Sequence, residues 1–400
     1  MIEIRGKSNS AIVYADKIDR ETKTQLSELL RNTAFTDSKI RIMPDTHSGK
    51  NCVVGIAMTL KGRLCPAMVG VDIGCGMETT IFEESAVDLP KLDELVHSRI
   101  PCGSKVHHSP LATDGATDLS RLRCYPKINA DRAYRSIGTL GGGNHFIELG
   151  RDDDGTLYLI VHSGSRQLGS DVAKYYQDMA YRYQCKKARR NIRIASFEQR
   201  DDDDGYYHKA KKAKAYEKKT SEVIYERAVL DGELFDDYIH DISIVQKFAD
   251  QNRKTIADII GGGMRLHIKD RFSNTHNYVD VERMILRKGA VSANQGERLV
   301  IPLNMRDGSL ICTGLGNPDW NFSAPHGTGR ACSRTEAKYA YSVEEFQKQM
   351  EGIYTTTANA GSIDECPMAY KAPEGIIASI GDTVSIEKAI RPIYNFKACN

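Results

Sequence analysis

Leu157-Tyr158-Leu159-Ile160-Val161-His162-Ser163-Gly164-Ser165-Arg166 sets five apolar side chains in a row and then, without a break, a histidine, two serines, a glycine and an arginine. An apolar run of this length, closed by a glycine turn, reads as a buried strand. A buried strand is rigid, so it presents His162 at its end as a fixed and reachable side chain. The Ser-Gly-Ser-Arg turn offers hydroxyls, backbone N–H groups and a guanidinium, a set suited to a phosphate or sulfate.

Working outward from this stretch, Ile40 to Met43 and Val53 to Leu60 also read as buried strands. The first runs into His47, the second into the turn Val71 to Met77. Thr22 to Arg31 has helical spacing at Leu26, Leu29 and Leu30. From Ser170 to about Arg193, Val172, Tyr175, Tyr176, Met179 and Tyr183 recur at helical steps, and Leu234 to Arg253 carries Phe235, Tyr238, Ile242, Val245 and Phe248 on one stripe. Strands and turns return from Asn277 to Leu286 and continue to about Arg330. The last helix is expected to start at Ser342, with Glu345 as its capping-box partner. Strand-rich ends around a helical middle make the class α+β. The strand order is not readable. Neither a repeat nor a Pro-, Gly- or Ser-rich linker interrupts the chain, so one continuous domain over residues 1–400 is expected, with a helical, basic segment at about 170–255. That segment holds Lys186, Lys187, Arg189, Arg190 and Arg193, then Asp201 to Asp204, then a basic stretch from Lys209 to Lys219. Such runs are first a solvated helix face and second an RNA-backbone contact.

Composition narrows the classes. With 40% apolar and 27% charged residues the chain can bury a core, which excludes whole-chain disorder. No apolar run approaches the roughly 20 residues that cross a bilayer, and MIEIRGKSNS is no signal peptide, so a cytoplasmic location without membrane contact is expected. Ten cysteines without a Cys-x-x-Cys pair indicate neither a disulfide framework nor a zinc ribbon. A net charge of +2 gives no global field, so any nucleic acid must be held by a local patch.

Chemistry-bearing residues recur at element ends. In Val71-Asp72-Ile73-Gly74-Cys75-Gly76-Met77 the glycines let a carboxylate and a thiol share one side of a loop; the bland alternative is a turn aspartate and a buried free cysteine. Gly138-Thr139-Leu140-Gly141-Gly142-Gly143-Asn144-His145-Phe146-Ile147-Glu148 sets a glycine run, able to bring N–H groups to an anion, before a strand with His145 and Ile147 on one face and Phe146 and Glu148 on the other. It is neither a Walker A sequence nor a dinucleotide turn. His276, in Thr275-His276-Asn277-Tyr278, is another histidine at an element edge. Taken singly, each of these histidines reads equally well as structural. In Ala324-Pro325-His326-Gly327-Thr328-Gly329-Arg330 bulk is absent on both sides of the imidazole, as a nucleophile approached by a phosphate requires. Together, Asp72, Cys75, His145, His162 and His276 suit a borderline divalent metal. Five donors exceed one tetrahedral site, whereas two ions sharing the thiolate would use them all.

These motifs together resemble the RtcB family of RNA-splicing ligases. The resemblance runs from about Ile40 to the C-terminus through RIMPDTHSGK, VGVDIGCGM, GTLGGGNHFIEL, VHSGSRQLG, HNYV, RKGAVSA, APHGTGRACSRT and DECPMAYK. It implies a single compact domain, with mixed sheets around a central metal cleft and peripheral helices. It also implies two Mn2+ ions bridged by Cys75, GTP as co-substrate, and His326 as the residue that becomes linked to GMP. Asn144, Phe146 and Glu148 fall where the family contacts the guanylate, with His145, Ile147, His276 and Asn277 in the same segments; Tyr370 and Lys397 fall where it holds the guanine ring. Gly327, Thr328, Gly329 and Arg330 would surround the phosphoramidate. The family's usual Ile-Pro-Gly-Ser-Met-Gly is here Ile301-Pro302-Leu303-Asn304-Met305-Arg306, which puts the contacts of Asn304 in question and leaves Ser309 to supply a hydroxyl; Thr328 replaces a common alanine.

The implied reaction has four steps: His326 takes GMP from GTP; a 2′,3′-cyclic phosphate on RNA is opened to a 3′-phosphate; that phosphate takes the GMP; and the 5′-hydroxyl of a second RNA end displaces it. The implied partners are RNA carrying such ends, as in tRNA splicing or RNA repair, and an archease-like activator. Asp45 and His47 are expected beside the site or facing RNA. A metal-dependent phosphoesterase and a non-catalytic RNA-binding homologue are the rival readings; hydrolysis does not require the glycine setting of His326, and the presence of every proposed ligand and the nucleophile argues against a non-catalytic chain.

Overall fold

The structure is a computed structural model that describes residues 1–113, 115–198 and 223–398. Its strands are β1 (Ile2–Arg5), β2 (Ser10–Val13), β3 (Ile40–His47), β4 (Val54–Thr59), β5 (Arg63–Leu64), β6 (Cys75–Phe82), β7 (Phe146–Arg151), β8 (Leu157–Ser163), β9 (Leu230–Asp231), β10 (Ile268–Asp280), β11 (Ile285–Lys288), β12 (Ala290–Ser292), β13 (Arg298–Asn304), β14 (Gly308–Gly314), β15 (Ser323–Pro325) and β16 (Val384–Lys397). Twelve of them form one sheet in the order β1-β2-β3-β4-β11-β10-β6-β8-β7-β16-β14-β13, antiparallel except for the β2–β3 pair. With the helices that flank it the class is α+β.

The opening stretch is β8, buried along its whole length. It lies between β6 and β7, so both of its edges are hydrogen-bonded. The helix Gly232–Met264 lies across β6, β8 and β10, with Phe235, Tyr238, Ile242, Val245 and Phe248 buried. Burying this stripe and the sheet face beneath it stabilises the region by about 1.5–3 kcal/mol per large side chain before conformational entropy is counted.

Element ends differ from the sequence expectation in several places. The helix expected over Ser170 to about Arg193 spans Arg166–Glu198, and the one expected over Leu234 to Arg253 spans Gly232–Met264. Ser342 caps Val343–Gln349 in a complete capping box with Glu345, yet that helix is not the last, because Pro373–Ser379 follows with a proline in its first turn. In the basic segment, Lys187 pairs with Asp231 at 2.9 Å, which makes it part of the fold's own charge balance. Asp201 to Asp204 and Lys209 to Lys219 lie outside the described residues. Among the described residues no helix is long and apolar enough to cross a membrane.

Candidate metal centre and nucleotide cleft

Three neighbouring strands and two loops bring five donors together. β8 carries His162, which pairs across the sheet with Phe146 on one side and Met77 on the other. Cys75 opens β6. His276 sits where the β6–β10 register shifts: Thr275 faces Gly76 and Asn277 faces Cys75, so His276 is the extra residue of a bulge. A bulge next to a site re-aims a side chain, and here the His276 ring meets that of His162. Asp72 comes from the loop before β6, His145 from the loop before β7.

The distances are those of a ligand set. Cys75 Sγ lies 3.2 Å from His162 Nε2 and 3.5 Å from His145 Nε2. His162 Nε2 is 3.2 Å from His276 Nε2, and His145 Nε2 is 3.0 Å from Asp72 Oδ2. Two triads result, Asp72-Cys75-His145 and Cys75-His162-His276, each with its donor atoms within 4.8 Å of one another. Cys75 belongs to both.

Ligand chemistry is built into the hydrogen bonds behind these atoms. His145 Nδ1 donates to the Leu140 carbonyl at 2.8 Å, and His162 Nδ1 donates to the Asn144 carbonyl at 3.2 Å. A proton on Nδ1 leaves Nε2 as a lone pair, the form that binds a metal. His162 Nε2 therefore turns a lone pair to the Cys75 sulfur, whereas His145 Nε2 lies between that sulfur and Asp72 Oδ2, to which it donates until a cation takes the place of its proton. Burial, then the positive character of neighbouring imidazoles, holds His162 and His276 well below the ordinary histidine value, so both are neutral donors. Burial works to raise the Asp72 carboxyl, but the hydrogen bond and charge of His145 override it and hold the group well below the carboxylate range. Burial and the adjacent Asp72 push the Cys75 thiol up, so its proton leaves in exchange for a cation rather than to water. The donor set fits divalent ions.

Loops carrying these donors are tied to one helix. Asn252, fully buried, accepts from the N–H groups of Gly138 and Thr139 and donates to the Thr139 and Gly164 carbonyls and the Ser163 hydroxyl. Its neighbour Arg253 donates to the Gly74 carbonyl at 2.6 Å and the Ser163 carbonyl at 3.2 Å. Sequence reading missed both: on a helix they look like ordinary polar positions, and only their zero exposure reveals them. Gly164 is required because a Cβ there would lie 2.0 Å from Asp72 Oδ1, and Gly141 because a Cβ would strike the Arg166 guanidinium.

That contact corrects two expectations. The Ser-Gly-Ser-Arg turn is folded inward: the Ser163 hydroxyl donates to the Leu140 carbonyl, the Ser165 N–H to Asp72, and Arg166 to the Gly103 carbonyl. Gly141 packs against Arg166, and none of the glycines at 141–143 lines the cleft described next.

His326 follows β15 and faces the donor cluster, its ring centroid 5.1 Å from that of His276. His326 Nδ1 donates to Asp45 Oδ2 at 2.6 Å, and the same oxygen accepts the His326 backbone N–H at 3.2 Å. Asp45 is fully buried and its other oxygen has no partner among the described residues. The ring is thus held in the tautomer whose Nε2 is free. Asp45, expected near the site without an assigned role, is the group that orients His326, whereas His47 lines the cleft wall.

Beyond His326 opens a cleft of about 670 Å³, within the range of small-molecule sites. Phe146 and Glu148 line it from β7, Asn144 from the loop before that strand, Asn304 from β13, Gly327 to Arg330 from the His326 loop, and Tyr370 and Lys397 from the far wall. Lys397 Nζ sits 5.0 Å from the Phe146 ring centre. Burial pushes the Glu148 carboxyl up to about 7, against the hydrogen bonds of Ser309 and Asn395 and the charge of Lys397. Five expected contacts lie elsewhere, two of them, His145 and His276, in the donor triads. Ile147 is in the core on the opposite sheet face, as strand alternation dictates; Asn277 donates to the Asp72 carbonyl at 2.6 Å; and Ser309 stands behind Glu148, donating to it at 3.1 Å. Asn304 reaches the cleft but turns its amide and carbonyl to Asp307 and the Arg306 N–H. Thr328 donates its hydroxyl to the Leu303 carbonyl, a bond an alanine could not make.

A family model described as tRNA-splicing ligase RtcB matches residues 29–117 and 104–398. The chain belongs to the RtcB family. It is 31% identical to RNA-splicing ligase RtcB1 of Escherichia coli, over 92% of this chain and 93% of the relative. RNA-splicing ligase RtcB of Escherichia coli K12 is 30% identical over the same shares. The tRNA-splicing ligase RtcB of Aeropyrum pernix is 26% identical over 96% of this chain and 94% of its own length. Membership of the RtcB family places the chain among RNA ligases.

Proposed function

We propose that the chain is a GTP- and manganese-dependent ligase that joins RNA 2′,3′-cyclic phosphate or 3′-phosphate ends to 5′-hydroxyl ends through a covalent guanylate on His326. The carrying observation is the free Nε2 of His326 facing two donor triads that share Cys75, at the mouth of a nucleotide-sized cleft. Two Mn2+ ions held by Asp72-Cys75-His145 and Cys75-His162-His276 would supply positive charge to the phosphates. RNA as substrate comes from the printed names of the relatives.

The chain's own groups do the rest. With its Nδ1 proton held by Asp45, the His326 ring presents a lone pair on Nε2 to the α-phosphate of GTP; the N–P bond forms as the bond to pyrophosphate breaks, and Asp45 stabilises the positive charge that develops on the ring. Arg330, four residues on, brings a guanidinium to the phosphates. The RNA 3′-phosphate then takes GMP from His326, and the 5′-hydroxyl of the second end displaces it. At the base end, the two oxygens of Glu148 match the ring N–H and amine of guanine, which adenine cannot reproduce. Those oxygens now accept from Ser309 and Asn395 at 3.1 Å each.

Glu148 gives the reaction a pH signature. Only the ionised carboxylate accepts twice, so GTP affinity is expected to rise from pH 6 to pH 8, through the value of about 7. The stability sign is opposite: a raised carboxyl favours the fold below its ordinary 4.5, and that contribution is lost as the pH passes about 7. Nucleotide titrations at pH 6, 7 and 8 check this; Glu148→Gln is expected to show a flat profile and a reduced preference for GTP over ATP. An equally steep profile in Glu148→Gln would remove Glu148 from the base site.

Incubation with Mn2+ and GTP labelled at the α-phosphate tests the reading as a whole. It predicts an acid-labile, base-stable label on the protein; a chain that hydrolyses phosphoesters but never takes label is a phosphoesterase.

A further inference from the structure

Glu365 does not line the cleft, yet four groups that do converge on it. Its carboxylate is almost fully buried, at 1% exposure. One oxygen accepts from Lys397 Nζ at 3.0 Å and from the Tyr370 hydroxyl. The other accepts from Arg330 Nη1 at 3.3 Å and forms an ion pair with Arg334 Nη1 at 2.5 Å. Three cations and a phenol on one carboxylate is more than a structural ion pair needs. The groups so gathered come from four separate stretches: the His326 loop, the helix Arg334–Ala340, the segment before Pro373–Ser379, and the final strand β16.

We propose that Glu365 is a positioning residue for the nucleotide, a single carboxylate that fixes Lys397 and Tyr370 at the base end of the cleft in register with Arg330 at the phosphate end. This rests on the reading of the cleft as the GTP site. The chemistry is direct. Lysine and arginine side chains left unpaired in a buried wall would repel one another and splay toward water, so the wall would have to be ordered afresh each time nucleotide entered. Glu365 does that ordering through the fold's own contacts. Its neighbour Asp364 shares the load, accepting from Arg334 at 2.8 Å and, through its carbonyl, from Arg330 at 2.6 Å. Arg330 and Lys397, held by the Glu365 carboxylate, both line the cleft, where a triphosphate would lie. Burial alone would raise the Glu365 carboxyl, but Lys397 and Arg334 override it and bring the group to about 2, so the carboxylate stays ionised at any working pH.

Guanylation of His326 measured against GTP concentration separates positioning from simple support of the fold. Glu365→Gln removes the charge while keeping the shape. The expected result is a rise in KM for GTP of about tenfold or more, with the labelled fraction at saturating GTP kept within about threefold of wild type and the preference for GTP over ATP reduced. Glu365→Asp retains the charge but cannot reach all four partners. It is expected to fold even where the glutamine variant does not, as followed by circular dichroism, and to raise KM by about threefold. A folded Glu365→Asp or Glu365→Gln chain with wild-type KM and wild-type nucleotide preference overturns the proposal. So does a loss confined to the labelled fraction at unchanged KM, which is the mark of a purely structural residue. A wild-type chain that takes no label at any GTP concentration overturns the reading of the cleft and this inference with it.

Discussion

Replacing His326 by alanine is expected to abolish the covalent label that α-labelled GTP leaves on the wild-type chain, while manganese is bound as before. The side chain lost is the one whose Nε2 has no partner among the described residues and whose Nδ1 is held by Asp45 at 2.6 Å. No described neighbour can take its place, because His276, the nearest imidazole at 5.1 Å between ring centres, is committed to the Cys75-His162-His276 triad. Removing a nucleophile costs more than removing any group that only stabilises charge, so labelling and ligation should both fall by at least about a thousandfold. Autoradiography of the denatured protein and a gel assay of sealed RNA read the two effects. Label persisting on His326→Ala would place the nucleophile elsewhere.

Cys75→Ala is expected to be the next most damaging change. Its sulfur lies 3.2 Å from His162 Nε2 and 3.5 Å from His145 Nε2, and it is the one donor that both triads include. On the proposed two-ion reading, removing it would take a ligand from each ion, whereas Asp72→Ala would take a ligand from one. Ligation should fall on the order of a thousandfold in Cys75→Ala, because a lost ligand outweighs the loss of a group that merely orients one. Manganese measured after gel filtration should drop from two equivalents to less than one in Cys75→Ala, and to about one in Asp72→Ala, as a shared ligand requires. Equal losses in the two variants would mean that Cys75 is not shared.

Much of this centre was legible in the sequence because it sits at the ends of strongly patterned elements. An apolar run as plain as Leu157 to Val161 fixes β8, and the chemistry that follows it fixes His162. Histidines at 145, 276 and 326 stood out by their glycine, proline and element-edge surroundings. What period and spacing do not carry is the pairing of distant segments. Asp45 and His326 are 281 residues apart, and only the fold reveals that one orients the other. The bulge that re-aims His276 is one residue of register between β6 and β10, invisible in either strand alone. Asn252 and Arg253 were hidden for a related reason, since their partners are backbone groups of three different loops. Strand alternation sends Ile147 into the core although its motif neighbours Phe146 and Glu148 line the cleft, and Ser309 stands behind Glu148, a depth that spacing along the chain does not convey.

Anomalous scattering at the manganese edge from crystals of the intact chain grown with Mn2+ tests the central claim most directly. The account predicts two peaks on either side of Cys75 Sγ, one beside Asp72 and His145 and the other beside His162 and His276, with His326 Nε2 facing them across the cleft. A single peak, or two peaks that share no bond to Cys75, would contradict it.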